Sequence, residues 1–202
     1  MARIEKGAIA VIEEIFARRG SFQYGECVTQ RDHALQCAMY AEQSGALPPL
    51  IVAALLHDIG HLLHRDGAAA IAAGDDDQHE TIGATYLSRW FGPETTMPIA
   101  LQVQAKRYLC RVEAGYHGLL SEGSKRSLAL RGGPMSKADA AAFAGDPFLM
   151  AAMAVRRWDD DAKHPATLTP GLTYFLPYVE ACMATARPAG RGRAKTAGLQ
   201  PV

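Results

Sequence analysis

The chain has 202 residues, enough for one domain and short for two. With 49% apolar and 21% charged residues it can bury a sizeable core, which excludes disorder of the whole chain. Its 21 basic and 21 acidic side chains cancel, which argues against nucleic acid as the main partner. The balance hides an asymmetry. The last 16 residues carry Arg187, Arg191, Arg193 and Lys195 and no acid, leaving 17 basic against 21 acidic residues in the body. The four cysteines, Cys27, Cys37, Cys110 and Cys182, form no CxxC pair and suit neither a zinc knuckle nor a disulfide scaffold. They read as reduced thiols of a cytoplasmic protein. The N-terminus is unlike a secretory signal, and no run reaches the roughly 18–20 apolar residues of a membrane span.

Helical periodicity dominates. Ile4, Ala8, Val11, Ile12 and Ile15 recur three or four apart, and Gly20 ends that helix. A polar loop over 21–29 precedes a helix of about Gln30 to Ser44. Pro48-Pro49 opens another, to about Ile59. Residues 66–77 hold an Ala/Gly-rich stretch and an acidic triplet, read as a loop or short helix. A helix from His79 to Phe91 follows. Pro93 or Pro98 opens a fifth, to about Val112. The Gly- and Ser-richer stretch 113–133 carries no clear period. Ser136 reads as the N-cap of a short helix, and Asp146-Pro147 as the start of one carrying Met150 to Ala162. Pro170 opens a last helix to about Thr185. No strand pattern or internal repeat occurs, so the fold class is all-α. A single helical domain over 1–186 and a disordered basic tail over 187–202 are expected.

The candidate chemistry centres on His57-Asp58. An apolar helix, 51–56, runs into two adjacent side chains able to bind metal, and a buried ionised Asp needs a cation or hydrogen bonds. His61 lies four residues on, on the same face if the helix continues. His33 sits in the preceding helix, His79 opens the following one, and Asp159 lies in a later one. Four of the seven histidines fall in this set. Two His with two carboxylates (His33, His57, Asp58, Asp159) suit Fe, Mn or Zn with open positions. A carboxylate can also bridge two metals, with His79 serving the second.

The order His…His-Asp…His…Asp resembles the HD-domain superfamily, an all-α metalloenzyme fold, over about residues 22–165. The likeness rests on Glu26, Gln30-Arg31-Asp32-His33, Leu55-Leu56-His57-Asp58-Ile59-Gly60-His61 and His79-Glu80-Thr81-Ile82-Gly83-Ala84. It continues in Val103-Gln104-Ala105-Lys106-Arg107-Tyr108-Leu109, Leu120-Ser121-Glu122-Gly123-Ser124-Lys125, Gly132-Gly133-Pro134-Met135 and Arg156-Arg157-Trp158-Asp159-Asp160. These are similar to the oxygenase branch typified by PhnZ and the TmpA/TmpB pair, mixed-valent di-iron enzymes of organophosphonate catabolism. The resemblance implies that His33, His57, Asp58 and Asp159 hold a first iron, with Asp58 bridging, and that His79 helps hold a second. It implies that His61, Lys106, Ser124, Ser127 and Arg156 contact the phosphonate or its neighbouring oxygen. Charge and hydroxyl donors of this kind also suit a phosphonate dianion on chemical grounds.

Two departures stand out. Gln102 occupies the position of a further His ligand in the family, so the second iron is expected to be weak or absent. Tyr24 is two residues before Glu26 where the family's mobile loop has three, which leaves Glu26 as the better-aligned gate residue. The resemblance implies O2-dependent cleavage of the C–P bond of a 1-hydroxy-2-(amino or trimethylammonio)ethylphosphonate, giving a glycine- or glycine-betaine-type carboxylate and phosphate. The alternatives are the sister hydroxylation beside phosphorus, a one-metal phosphohydrolase acting on a nucleotide or phosphate ester, and a binding domain without turnover. Tyr24, Tyr108 and Tyr116 are candidates for an aromatic cage around a quaternary ammonium. The expected partners are the small organophosphonate and O2, with no nucleic acid, membrane or obligate protein partner.

Overall fold

The computed structural model describes residues 2–23, 28–63 and 78–183, with only the backbone of 2–6. Tyr24, Glu26, Cys27, the 66–77 stretch and the basic tail lie outside the described residues. Eleven helices occupy the described chain: α1 (Ala2–Arg19), α2 (Gln30–Gln43), α3 (Pro48–Leu56), α4 (Ile59–Leu63), α5 (His79–Leu87), α6 (Pro93–Val112), α7 (Tyr116–Leu119), α8 (Glu122–Leu130), α9 (Lys137–Phe143), α10 (Leu149–Asp161) and α11 (Leu172–Met183). An isolated antiparallel bridge joins Gln23 to Thr29, and no strand occurs among the described residues. The all-α expectation holds. No described helix is long and apolar enough to cross a membrane.

The apolar core is drawn from α1 to α6, α10 and α11. It includes Ile12, Phe16, Ala38, Val52, Leu55, Leu56, Ile99, Val155 and Phe175. Phe16, not Ile15, completes the buried stripe of α1 with Ala8 and Ile12. Thr29 caps α2 and Ser136 caps α9, each hydroxyl accepting an amide proton of the first turn. Pro93 stands in the first turn of α6, and Pro98 lies inside that helix. Asp146 does not cap α10. Its Oδ1 accepts from Phe148 N at 2.7 Å, forming a local turn ahead of the helix. The stretch 113–133 contains α7 and α8, which composition alone did not reveal. Ser121 caps α8 by accepting from Ser124 N at 3.2 Å.

The main departure from the expected helices lies at His57-Asp58. The expected helix to Ile59 ends at Leu56, and α4 restarts at Ile59. Two carbonyls that a continuing helix would use are taken by side chains. His57 Nδ1 donates to Ala54 O at 2.8 Å, and Gln102 Nε2 donates to His57 O at 2.9 Å. Satisfying these groups from outside the ladder makes the break affordable. The condition that would have put His57 and His61 on one face therefore fails.

Beyond the break, α4 packs on α5 at backbone distance. A Cβ built on Gly60 would fall 2.0 Å from His79 O, and one on Gly83 would fall 3.2 Å from Gly60 N. Gly60→Ala is therefore expected to destabilise the protein by about 1–3 kcal/mol or more through overpacking. Exposed Gly7 in α1, with nothing within 4 Å of its Cβ position, should tolerate Ala with no loss. Urea unfolding of the two variants side by side checks both.

Candidate metal centre

Four ligand atoms meet where α2, the end of α3 and α10 converge. His33 Nε2 and His57 Nε2 are 3.2 Å apart. Asp58 Oδ2 lies 3.6 Å from the first and 3.4 Å from the second, and Asp159 Oδ1 lies 3.4 Å from His33 Nε2. All four residues are buried. The tautomers follow from the outer nitrogens. His33 Nδ1 donates to Ala162 O at 2.8 Å and His57 Nδ1 to Ala54 O at 2.8 Å, and a carbonyl can only accept. In the neutral rings both Nε2 atoms therefore present lone pairs to one point.

The two carboxylates aim at the same point. Asp58 Oδ2 and Asp159 Oδ1 are buried and accept no hydrogen bond among the described residues. Burial pushes Asp58 up, but His57, His61 and His79 together hold it well below the usual carboxylate range. Burial likewise opposes Asp159, and Arg156 and Lys163 outweigh it. Two ionised oxygens facing two lone pairs in an apolar interior need a cation between them. Two nitrogens and two oxygens suit a divalent transition cation, so the residues present fit a metal.

Cys37, one helical turn after His33, was not anticipated. Its Sγ is 4.0 Å from His33 Nε2, within reach of the same group. It donates instead to Trp158 O at 3.6 Å, and burial followed by Asp159 and Asp58 pushes the thiol well above its usual range. The helical spacing from His33 was the available signal.

A second group lies across Asp58. His79 Nε2 is 3.5 Å from Asp58 Oδ1, and His61 stacks on His79 with ring centroids 3.9 Å apart. Ligand atoms of Asp58, His61 and His79 all fall within 4.8 Å of one another. Glu80, next to His79, is buried and gripped by Arg131 through Nη1–Oε1 and Nη2–Oε2 at 2.7 and 3.0 Å. Gln102 is buried beside this group, with its Nε2 3.5 Å from Asp58 Oδ1. The amide end nearest Asp58 is thus a donor.

The remaining expected residues form a polar cradle attached to the first group. Lys106 Nζ donates to Ser127 Oγ at 2.5 Å, and Arg156 Nη2 to Ser124 Oγ at 3.3 Å. Ser124 and Ser127 share a face of α8, one turn apart. Lys163, absent from the sequence expectations, adds a third cation 3.4 Å from Ser124 Oγ and 3.5 Å from Asp159 Oδ1. Its position four residues after Asp159 was the signal for it. Arg156 is also committed to carboxylates: Nη1 reaches Asp159 Oδ2 at 2.5 Å, and the guanidinium forks onto Asp160, which also accepts from Tyr116 OH. Burial disfavours its charge, but Asp159 and Asp160 outweigh that and hold its pKa well above normal. Burial, then Arg156, pushes Lys106 down to about 8.

Arg156 therefore has a role besides the anion contact expected of it. It also holds a carboxylate of the metal group. Asp58→Asn and Asp159→Asn are expected to abolish tight metal binding. Arg156→Ala should weaken it about 10–100-fold by freeing Asp159, whereas Lys106→Met should leave it unchanged. Metal per chain after equilibrium dialysis against Fe(II) under argon checks the series.

The HD domain family model matches residues 31–143. A hydroxymethylphosphonate dioxygenase of Gimesia maris is 46% identical over 173 residues, covering 84% of this chain and 85% of that protein. A [1-hydroxy-2-(trimethylamino)ethyl]phosphonate dioxygenase (glycine-betaine-forming) of Leisingera caerulea is 40% identical over 182 residues, covering 89% and 93%. An uncharacterized protein of Acanthamoeba polyphaga mimivirus is 33% identical over 158 residues, covering 77% and 72%. With a helical fold, a buried His/Asp group at the His57-Asp58 dipeptide and relatives of this closeness, the chain belongs to the HD-domain family.

Proposed function

We propose that the chain is an iron-dependent oxygenase that cleaves the C–P bond of a 1-hydroxyalkylphosphonate with O2, giving a carboxylate and phosphate. The observation that carries this reading is the join at Asp159. One of its oxygens faces His33 in the metal group and the other is held by Arg156 of the cradle. An anion bound at Lys106, Ser124, Ser127, Arg156 and Lys163 would therefore lie beside the metal. The names of the two curated relatives support the reaction class.

In this reading His33, His57, Asp58 and Asp159 hold the first iron. Bound iron supplies the one-electron chemistry with O2. The side chains of the cradle do the rest. Lys106, Arg156 and Lys163 offset the charge of a phosphonate dianion, and the Ser124 and Ser127 hydroxyls bond its oxygens. Asp160 keeps the Arg156 guanidinium in plane, and Tyr116 keeps Asp160. This fixes the carbon next to phosphorus against the metal group. The reaction balances without an external reductant: the hydroxyalkylphosphonate and one O2 contain all the atoms of the carboxylic acid and phosphoric acid.

Of the three cage candidates, neither Tyr108 nor Tyr116, the two that are described, supports an ammonium cage. Tyr116 points its hydroxyl at Asp160, and Tyr108 packs edge-on against Phe143 at 5.6 Å. Hydroxymethylphosphonate is accordingly the first substrate to assay, followed by the aminoethyl and trimethylammonioethyl compounds. The one-metal hydrolase remains the second reading because the His33, His57, Asp58 and Asp159 group is complete without residue 102. Oxygen separates the two. The iron-loaded chain should release phosphate from the phosphonate in air and none under argon. Equal rates in both, or release from a phosphate ester alone, would favour the hydrolase.

The cradle also sets a pH dependence. Lys106 carries its charge below about 8 and loses it above. Anion affinity should be full below pH 8 and fall as the pH rises through it. Lys106→Met should weaken binding roughly ten- to a hundredfold and remove that break. Anaerobic titration of the iron-loaded chain with hydroxymethylphosphonate between pH 6.5 and 9.5 measures both.

A further inference from the structure

We propose that Gln36 is a positioning residue for the metal group and the cradle together: its amide clamps the chain at His164 and so sets where Ala162 and Lys163 act. The inference rests on the reading above only in taking Lys163 as a cradle cation.

The helix α10 ends at Asp161, and residues 162–171 run outside any helix. The first two of them serve the centre. Ala162 O accepts from His33 Nδ1 at 2.8 Å, which leaves His33 Nε2 bare. Lys163 Nζ lies 3.4 Å from Ser124 Oγ and 3.5 Å from Asp159 Oδ1. The helix does not fix these positions, because Ala162, with ψ 45°, has already left the helical region. Beyond them the chain is exposed from His164 to Ala166, and Ala166 turns at φ 62°. An exposed segment of this kind opens readily unless a partner holds its backbone.

Gln36 is such a partner. It lies three residues after His33, on the same side of α2. Its Nε2 donates to His164 O at 3.0 Å, and its Oε1 accepts from His164 N at 3.2 Å. Two bonds to one residue fix direction as well as distance. Flipping the amide would set oxygen against oxygen and N–H against N–H, so both ends are assigned. Gln36 is 1% exposed, so water is no alternative partner for its amide. The helix α2 therefore grips the segment on either side of Lys163, through His33 on Ala162 O and through Gln36 on His164. Lys163, between the two grips, is left turned toward Ser124 and Asp159. Gln36 acts through Ala162 on the direction of the His33 ring, and through Lys163 on the charge of the cradle.

The test compares two variants of the full chain. Gln36→Met keeps the side chain's length and removes both bonds, and Ile12→Ala destabilises the core at α1. Zn(II) affinity is read by competition with a chromophoric chelator, and hydroxymethylphosphonate affinity by calorimetry on the Zn(II)-loaded chains. Gln36→Met should weaken each about tenfold. Ile12→Ala, even with a larger fall in melting temperature, should weaken neither. In a Lys163→Met background, Gln36→Met should still weaken Zn(II) binding but no longer weaken the phosphonate. In the unaltered Zn(II)-loaded chain the His33 Nδ1 proton and the His164 amide proton should exchange slowly with solvent, a measurement that stands if Gln36→Met fails to fold. Exchange of the His164 amide at the rate of an open chain, equal losses of affinity in Ile12→Ala and Gln36→Met, or a phosphonate effect that persists in full without Lys163 would each overturn the clamp. A Zn(II)-loaded chain that binds no hydroxymethylphosphonate would instead overturn the proposed function, and the Zn(II) affinities and proton exchange would then decide the clamp.

Discussion

The arrangement depends on one electrostatic constraint: two ionised carboxylate oxygens, Asp58 Oδ2 and Asp159 Oδ1, buried without a hydrogen-bond donor and aimed at two imidazole lone pairs. Left alone, such oxygens cost several kcal/mol. The surroundings are built to keep them so aimed. The outer nitrogens of His33 and His57 are tied to backbone carbonyls, which fixes both rings and both tautomers. Arg156 holds Asp159 by its outer oxygen, Oδ2, and Lys163 lies 3.5 Å from Oδ1. Each polar group of the centre has a partner facing away from the centre, and the atoms facing inward are those a cation would use.

The helix break at His57-Asp58 is the second consequence. A straight helix would carry His57 and His61 past the centre on one face. The break aims His57 at His33 and delivers His61 to His79. It is stabilised locally, by the His57 ring on Ala54 O and by Gln102 on His57 O. Asp58 sits at the corner, with Oδ2 toward the first group and Oδ1 toward the second. The first group is sealed inside the core, and His61 and His79 lie toward the outside. A centre with one closed and one open side has a natural place for exchangeable ligands.

The cradle shows how charge is shared between the candidate metal group and the polar side chains beside it. Burial first, then the nearby charges of Arg156 and Lys163, push the Lys106 ammonium down to about 8. Asp159 and Asp160 offset part of that repulsion. Asp159 touches both groups of side chains, Oδ1 facing His33 and Oδ2 held by Arg156, so in the proposed function the occupancy of one site would be felt in the other through a single side chain.

The sequence by itself determined the helical class, several helix starts through Pro and Ser signals, and the candidate His and Asp residues that the fold brings together. These are legible because helix periodicity and capping act within a few residues, and because the order His…His-Asp…His…Asp across successive helices leaves few bland explanations that the His-Asp pair alone would have allowed. It did not determine which histidines meet. His33, His57 and Asp159 are brought together from three helices, and spacing along the chain holds no record of that convergence. The fate of His61 turned on a helix break one of whose two stabilising contacts, the Gln102 amide on His57 O, comes from 45 residues away. The amide's direction, which separates a ligand from a donor, depends on a backbone carbonyl that no sequence pattern reveals. Cys37 and Lys163 left only a helical spacing from His33 and Asp159, and the Glu80–Arg131 pair left no signal, since each matters through a neighbour supplied by another helix. Only the packed structure decides such contacts, because burial removes water as the alternative partner and leaves each polar atom to whatever side chain the fold delivers.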